Sequence, residues 1–371
     1  MNFTCDRQTL LDALTIAGRA TSTRTTMPIL ECVLLTVDTD KGITLLGNDR
    51  ELCIETTPLK AEVEEGGAIA LNAKLFTEIV RKLPGESINI KTDENFKATC
   101  KSGRSSLNIP GLPADDFPQL PTEEIDKVDY LYKIKASALK DLIRQTIFSV
   151  SLDHGKKILT GELVEVKNDL IQFVAIDMFR ISYKSEALDE GVPESKAVIP
   201  ARSLHELSRI LPDGMVNFFF TEKRAVFEAE GFKLVSSLLF GDFIRHDQIF
   251  NEDFSTMVVI DKQSLLSAFE RIMLMSGDNR SITARIDITD DDMKIAAQSD
   301  KGDADDGLPC STDGKDLTIF FNPRYFIEAL RVIDDAKVNL KFNTTMSPCT
   351  ITGSEPNCRY KYLIVPLRPP A

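Results

Sequence analysis

Residues 71–84 read LNAKLFTEIVRKLP: the end of an apolar run, an Asn, a basic residue, then apolar side chains returning at helical spacing. The arrangement recurs at 198–212, VIPARSLHELSRILP, and at 320–334, FFNPRYFIEALRVID. Lys74, Arg202 and Arg324 hold the equivalent basic position, 128 and then 122 residues apart. A period of that length is a whole domain, well beyond the roughly 20–50 residues of solenoid repeats.

A second helix precedes each copy: DRQTLLDALTIAG at 6–18, KASALKDLIRQTI at 135–147 and DKQSLLSAFERIM at 261–273, with Leu10, Leu139 and Leu265 in register. Between and after the helices run β-branched and aromatic stretches such as ECVLLTV, SINIKT, LIQFVAI, MVNFFF and YKYLIV. LPGE, LPDG, VKND and ITDDD punctuate them as turns. The expected fold class is therefore α+β, three repeated domains of two helices plus mostly antiparallel strands. Polar stretches at 121–127 and 248–254 set the boundaries, giving domains 1–124, 125–251 and 252–371. At 371 residues the chain exceeds one ordinary core, which suits that count.

With 43% hydrophobic and 27% charged residues, the composition is that of a globular protein. The first seven residues already contain Asp6 and Arg7, and no long apolar run follows. Neither a signal peptide nor a membrane span is expected, and the cytoplasm is the expected location. Seven scattered cysteines without a C-x-x-C pair read as reduced core thiols. Phosphate-cradling, nucleophile-elbow and zinc-protease motifs are all missing, and the three histidines stand far apart. No catalytic activity, cofactor or metal is expected. The acidic stretches at 289–293 and 299–307 lack calcium-loop spacing and read as solvated loops. A carboxylate-based hydrolase would require acidic side chains gathered in one pocket.

A net charge of −13 speaks against nucleic acid when only the total is read. Position says otherwise. Each repeated helix carries a basic pair at i and i+7, on nearly the same face: Lys74 with Arg81, Arg202 with Arg209, Arg324 with Arg331. The preceding helices add Lys140 and Arg144. One such helix is an ordinary solvated face. Three in an acidic chain place phosphate against them, a contact that positions double-stranded DNA without reading its sequence. A peptide-binding scaffold with no DNA role is the competing reading.

The segments TTMPIL (25–30), GRSSLNIPGLPADDFPQLP (103–121), AIDMFRIS (175–182), FFNPRYFIEAL (320–330) and YLIVPLRP (362–369) resemble the bacterial sliding clamps, the beta subunits of DNA polymerase III. The resemblance covers essentially the whole chain. It implies a DNA clamp fold of three like domains, with two chains closing head to tail into a ring whose helices line the hole. Such a ring is a processivity factor that slides on DNA and tethers polymerases.

Three sites follow from the resemblance. Arg24, in the loop after the first helix, joins the helix residues as DNA-facing. The dimer interface sets Lys74, Arg104, Leu107 and Ile109 against Leu274, Met275, Asp300 and Asp303, basic at one end of the chain and acidic at the other. A pocket between the second and third domains takes short peptides from the polymerase III catalytic subunit, the clamp loader, other DNA polymerases and repair proteins. It maps to Leu159, Ile176, Met178, Phe179, Arg180, Ile181, Ile244, Gln248, Ile249, Tyr325, Met346, Pro348, Leu363, Val365, Pro366, Leu367 and Arg368. Where the family commonly has Thr-Asp-Gly-His-Arg-Leu, this chain has Ile176-Asp177-Met178-Phe179-Arg180-Ile181; where it has Phe-Pro-Asp-Tyr, this chain has Phe243-Ile244-Arg245-His246. The pocket is expected to be bulkier and more apolar than usual.

Overall fold

Asp6, Asn72 and Asp261 each end a strand and start a helix, and Asn322 stands between strand and helix, because each side chain accepts a hydrogen bond from a backbone N–H of the first helical turn. The donors are Thr9 (2.7 Å), Leu75 (3.0 Å), Ser264 (2.7 Å) and Arg324 (3.0 Å). The Asn of the repeated motif is thus a helix cap. The helices are α1 (Arg7–Ala17), α2 (Ala73–Lys82), the single turn α3 (Thr122–Ile125), α4 (Ala136–Thr146), α5 (Ala201–Ile210), α6 (Lys262–Met273) and α7 (Pro323–Val332). They belong to a computed structural model that describes residues 1–125, 130–246, 249–250, 253–276, 282–355 and 358–368. Among these residues no helix is long and apolar enough to cross a membrane.

Contacts divide the chain into two compact units, Met1–Ser137 with Arg202–Leu238, and Ala138–Ala201 with Leu239–Ala371. In the first, a 13-stranded sheet carries α1 and α2 on one core: Leu10, Leu14, Phe76 and Val80 of the helices meet Phe3, Val33, Leu45 and Ile90 of the strands. In the second, sheets of nine and four strands carry α6 and α7, whose Phe269 and Phe326 rings stack at 4.6 Å. Every pairing among the described strands is antiparallel, as the alternating pattern implies.

The middle repeat contributes to both units. Its strands Met215–Phe220, Arg224–Ala229 and Phe232–Ser237 extend the first unit's sheet; Gly161–Lys167, Leu170–Ile176 and Arg180–Ala187 belong to the second's. The joins are full backbone ladders, Leu52–Thr56 on Phe232–Ser237 and Arg180–Ala187 on Tyr360–Ile364. A ladder bonds neighbouring repeats as firmly as it bonds strands inside one, so compactness does not follow the sequence period.

All seven cysteines are free, and burial pushes the Cys5 thiol up to about 12 and that of Cys32 to about 11. Glu162 is the stranger core residue. It is fully buried, its Oε2 accepts from the Thr146 hydroxyl at 2.6 Å, and its Oε1 has no hydrogen-bond partner among the described residues. Removal from water pushes its pKa up to about 8. An unfolded glutamate titrates near ~4.3, so the folded state loses stability steadily as pH rises from there to about 8, at about 1.4 kcal/mol per pKa unit of separation. Glu162→Gln keeps an acceptor for Thr146 and removes that slope. Melting temperatures compared from about pH 5 to about pH 9 are expected to shift in the variant's favour as pH rises; parallel curves would refute the buried acid.

Candidate functional site

The repeated helices bury one stripe and present the other. α2 buries Ala73, Phe76, Ile79 and Val80 and exposes Lys74 and Arg81; α7 buries Phe326, Ile327, Ala329 and Leu330 and exposes Arg324 and Arg331. α5 buries Leu204 and Leu207 and exposes Arg202 and Arg209. The i, i+7 pairs therefore do share exposed faces. Their charge is partly spent inside the chain. Arg81 pairs with Glu78, Arg202 with Asp49, Arg324 with Glu328 at 2.6 Å and Arg331 with Glu270 at 2.7 Å. Arg144 is held by Asp141 and Asp334 and donates to the Val332 carbonyl at 2.8 Å. Lys74, Arg209, half-buried Lys140 and the loop residue Arg24 have no ion-pair partner among the described residues, and they carry the unspent positive charge.

Among the strand edges left unpaired in the described residues, two are matched by the repeat. Each repeat has a hairpin whose return strand reaches the next repeat: Leu52–Thr56 pairs with Phe232–Ser237, and Arg180–Ala187 with Tyr360–Ile364. Among the described residues the third return strand, Gly302–Pro309, pairs only with Asp292–Ser299 and ends its four-stranded sheet. The first repeat's receiving strand, Ser105–Leu112, pairs from Ser105 to Pro110 with Lys97–Ser102, and its further strand pairing among the described residues runs only through Gly111 and Leu112.

Leu107 (40% exposed) lies on the receiving edge, and Leu274 (73%) follows α6 directly, opening the turn Leu274–Ser276. Arg104 is exposed, as are Asp300 and Asp303, which have no cation partner among the described residues. Met275 is half-buried. Ile109 corrects the sequence reading: it is fully buried in the core under α1 and α2, so it has no surface to give an interface.

The mapped pocket residues lie in the second unit and separate into floor and rim. Ile176, Ile181 and Leu363 are buried in one apolar cluster, against which Ile249 and Val365 pack. Leu159 is also buried. Met178 (64% exposed), Phe179 (47%), Ile244 (43%) and Met346 (54%) stand out from the surface, with Pro348 and Arg368 exposed and Pro366 and Leu367 half-buried. The Phe179 ring stacks on Tyr325 at 5.9 Å, and Val365 N–H donates to the Phe179 carbonyl at 2.8 Å. Gln248 lies outside the described residues.

Arg180 is not a rim residue. Its buried guanidinium donates to Asp177 at 3.0 Å, to Glu328, and to the Phe148 carbonyl at 2.5 Å, and lies over the Tyr325 ring at 4.8 Å. Burial pushes the Glu328 carboxyl up, but the hydrogen bonds and charges of Arg324 and Arg180 outweigh it and hold the group below its ordinary value.

Glu328 was within reach of a sequence reading. A glutamate follows the basic residue by four positions in all three copies, at Glu78, Glu206 and Glu328. Glu206 receives Arg19 at 2.8 Å and Glu328 receives Arg180, in each case from the preceding repeat, whereas Glu78 pairs only within its own helix. The exposed Leu152 (86%) and Phe240 (72%) carried no motif at all. The hydrolase reading finds little: Glu162 is the one carboxylate fully withdrawn from solvent among the described residues, and no second acid perturbs it.

Family models for the DNA polymerase III beta subunit match along the chain: its N-terminal domain at residues 1–121, its central domain at 133–244 and its C-terminal domain at 247–368. A beta sliding clamp of Halalkalibacterium halodurans is 32% identical over 375 residues, covering 96% of each protein. Among solved structures, the DNA polymerase sliding clamp of Bacillus subtilis superposes with a TM-score of 0.94 at 29% identity, covering 100% of both chains. The beta subunit from the DNA polymerase of Streptococcus pyogenes gives 0.93 at 32%, again over 100% of both.

Proposed function

The chain belongs to the DNA polymerase III beta-subunit family, the beta sliding clamps, and on that premise we propose that two copies close head to tail into a ring around duplex DNA. One observation carries this reading. Each return strand of the repeat has a receiving strand in the next except Gly302–Pro309, and the receiving strand left over is Ser105–Leu112. A second copy supplies both missing partners. The contact joins unlike surfaces, so it terminates only by closing a ring. Acidic Asp300 and Asp303 beside one edge and basic Arg104 and Lys74 near the other favour the unlike pairing, and a carboxylate-bearing edge resists pairing with its own kind.

The three repeats, 1–124, 125–251 and 252–371, are the building blocks of that ring. Lys74, Arg209, Lys140 and Arg24 meet the phosphates through charge alone, while retention comes from the closed ring, so the protein slides. Partners dock through short segments on the apolar rim of Met178, Phe179, Ile244 and Met346: the polymerase III catalytic subunit, the clamp loader, other DNA polymerases and repair proteins. The protein works in the cytoplasm, needs no cofactor and catalyses no reaction; it is a processivity factor.

Loading on circular DNA tests the ring. A dimer crosslinked shut after loading is expected to remain on a closed circle in salt that strips ordinary binders, and to leave once the circle is cut; loss from the intact circle overturns the proposal. At low salt, Lys74→Glu with Arg209→Glu is expected to weaken association more than Arg81→Glu with Arg331→Glu, whose charges Glu78 and Glu270 already match.

A further inference from the structure

The first and second repeats meet their successors through the same backbone construction. Asp49 Oδ1 accepts from the N–H groups of Glu51 (3.0 Å) and Leu52 (2.8 Å), and Asp177 Oδ1 accepts from those of Phe179 (2.7 Å) and Arg180 (3.0 Å). Asp49 N–H donates to the Leu52 carbonyl at 3.1 Å, and Asp177 N–H to that of Arg180 at 3.1 Å. In the ladders that follow, Leu52 faces Ser236 and Arg180 faces Ile364. Ser237 N–H then donates to the Glu51 carbonyl at 2.8 Å, as Val365 N–H does to that of Phe179 at 2.8 Å. Each residue of the first junction stands 128 positions before its counterpart in the second.

The first junction holds a cavity of about 160 Å³. Among its lining residues, Asn48, Arg50, Glu51, Cys53 and Val235 are the counterparts of Ile176, Met178, Phe179, Ile181 and Leu363, and Pro118 follows Phe117 as Ile244 follows Phe243. The cavity occupies the place in the first junction that the proposed peptide pocket holds in the second, with a charged rim. At ~30 Å³ per water, it has room for roughly five waters, enough for one carboxylate side chain.

We propose that this cavity binds a short acidic peptide segment of a protein partner, with a carboxylate seated on Arg50. Among the described lining residues, two guanidiniums, Arg50 and Arg224, stand against one carboxylate, that of Glu51. Arg224 also donates to the Ser237 hydroxyl, whereas the Arg50 side chain has no partner among the described residues. Its planar fork matches a carboxylate in bidentate geometry. Arg50 also holds a φ of +78°, a conformation glycine adopts more cheaply, so the chain keeps a cation where the backbone favours none. The ligand class, a peptide, rests on the peptide reading of the second junction; the site itself does not.

The test uses the full-length dimer and three fluorescein-labelled ten-residue peptides: one of aspartate and leucine, its analogue with lysine for aspartate, and one of leucine and phenylalanine. The acidic peptide is expected to bind, the lysine analogue not. Arg50→Glu and Arg50→Gly weaken acidic-peptide binding about tenfold or more, and Phe179→Ala leaves it unchanged. Arg50→Gly relieves the positive φ, so its fold is not in question, and a melting curve at or above that of the parent checks it. The proposal is overturned if the acidic peptide fails to bind below about 1 mM, binds Arg50→Gly as it binds the parent, or loses affinity only in Phe179→Ala. Failure of the leucine and phenylalanine peptide to respond to Phe179→Ala would instead count against the second junction and leave this one standing.

Discussion

A chain carrying Leu107→Glu and Leu274→Glu is expected to sediment as a monomer at micromolar concentrations where the parent is a dimer. Both side chains are exposed in the single chain, at 40% and 73%, so neither change disturbs a core. In a head-to-tail pair each leucine is used twice, once at each interface, and four leucines leave water on closure. At ~1 kcal/mol for the area still exposed on each, the loss is about 4 kcal/mol, roughly a thousandfold in Kd. A glutamate buried there without a partner adds to it. Ile109, the other apolar residue of that strand in the interface reading, is useless for the test: it is fully buried, and its replacement would unfold the first repeat. Sedimentation velocity decides, and a dimer that survives both changes removes the open strand edges as the basis of assembly.

Those edges were half legible in the sequence. The repeat is written in residues whose chemistry acts locally: Asn72 and Asn322 cap their own helices, and Phe76, Leu204 and Phe326 recur at the spacing that buries one stripe. Local rules need only local sequence, so six helices and the strands around them could be placed from pattern alone. What pattern cannot carry is the far end of a contact. Arg202 meets Asp49 across 153 residues and Arg180 meets Glu328 across 148, so a basic stripe that looked wholly available is partly neutralised. Ile109 fails for a related reason. Its strand reads SSLNIP, with Leu107 and Ile109 two apart and hence on one face, but only the folded chain shows that the core under α1 and α2 covers Ile109 and stops short of Leu107.

Arg180→Met is expected to lower the melting temperature of the second unit by several degrees, against almost no change for Arg324→Met. Both arginines reach Glu328, but Arg324 does so on an exposed helix face, where an ion pair contributes about 0–1 kcal/mol. Arg180 is buried, and its loss strands the Phe148 carbonyl and Asp177 and takes one of two cations from Glu328. Breaking a buried pair costs about 3–5 kcal/mol, and Glu328 keeps Arg324, so about 3 kcal/mol is expected, or roughly 6–12 °C for a unit of this size. The pH dependence separates this from mere loss of packing. With Glu328 held below its ordinary value, the stability it contributes is present above the unfolded pKa and lost as pH falls through the folded one. The gap between parent and Arg180→Met should therefore narrow on acidification, as calorimetry at neutral pH and below about pH 4 can measure; a gap that is constant or widens would mean that the guanidinium acts only as filler. The same contact orders the pocket. Arg180 lies over Tyr325, Tyr325 stacks on Phe179, and Phe179 takes the backbone N–H of Val365, so removing the cation is expected to loosen the apolar rim proposed as the docking site.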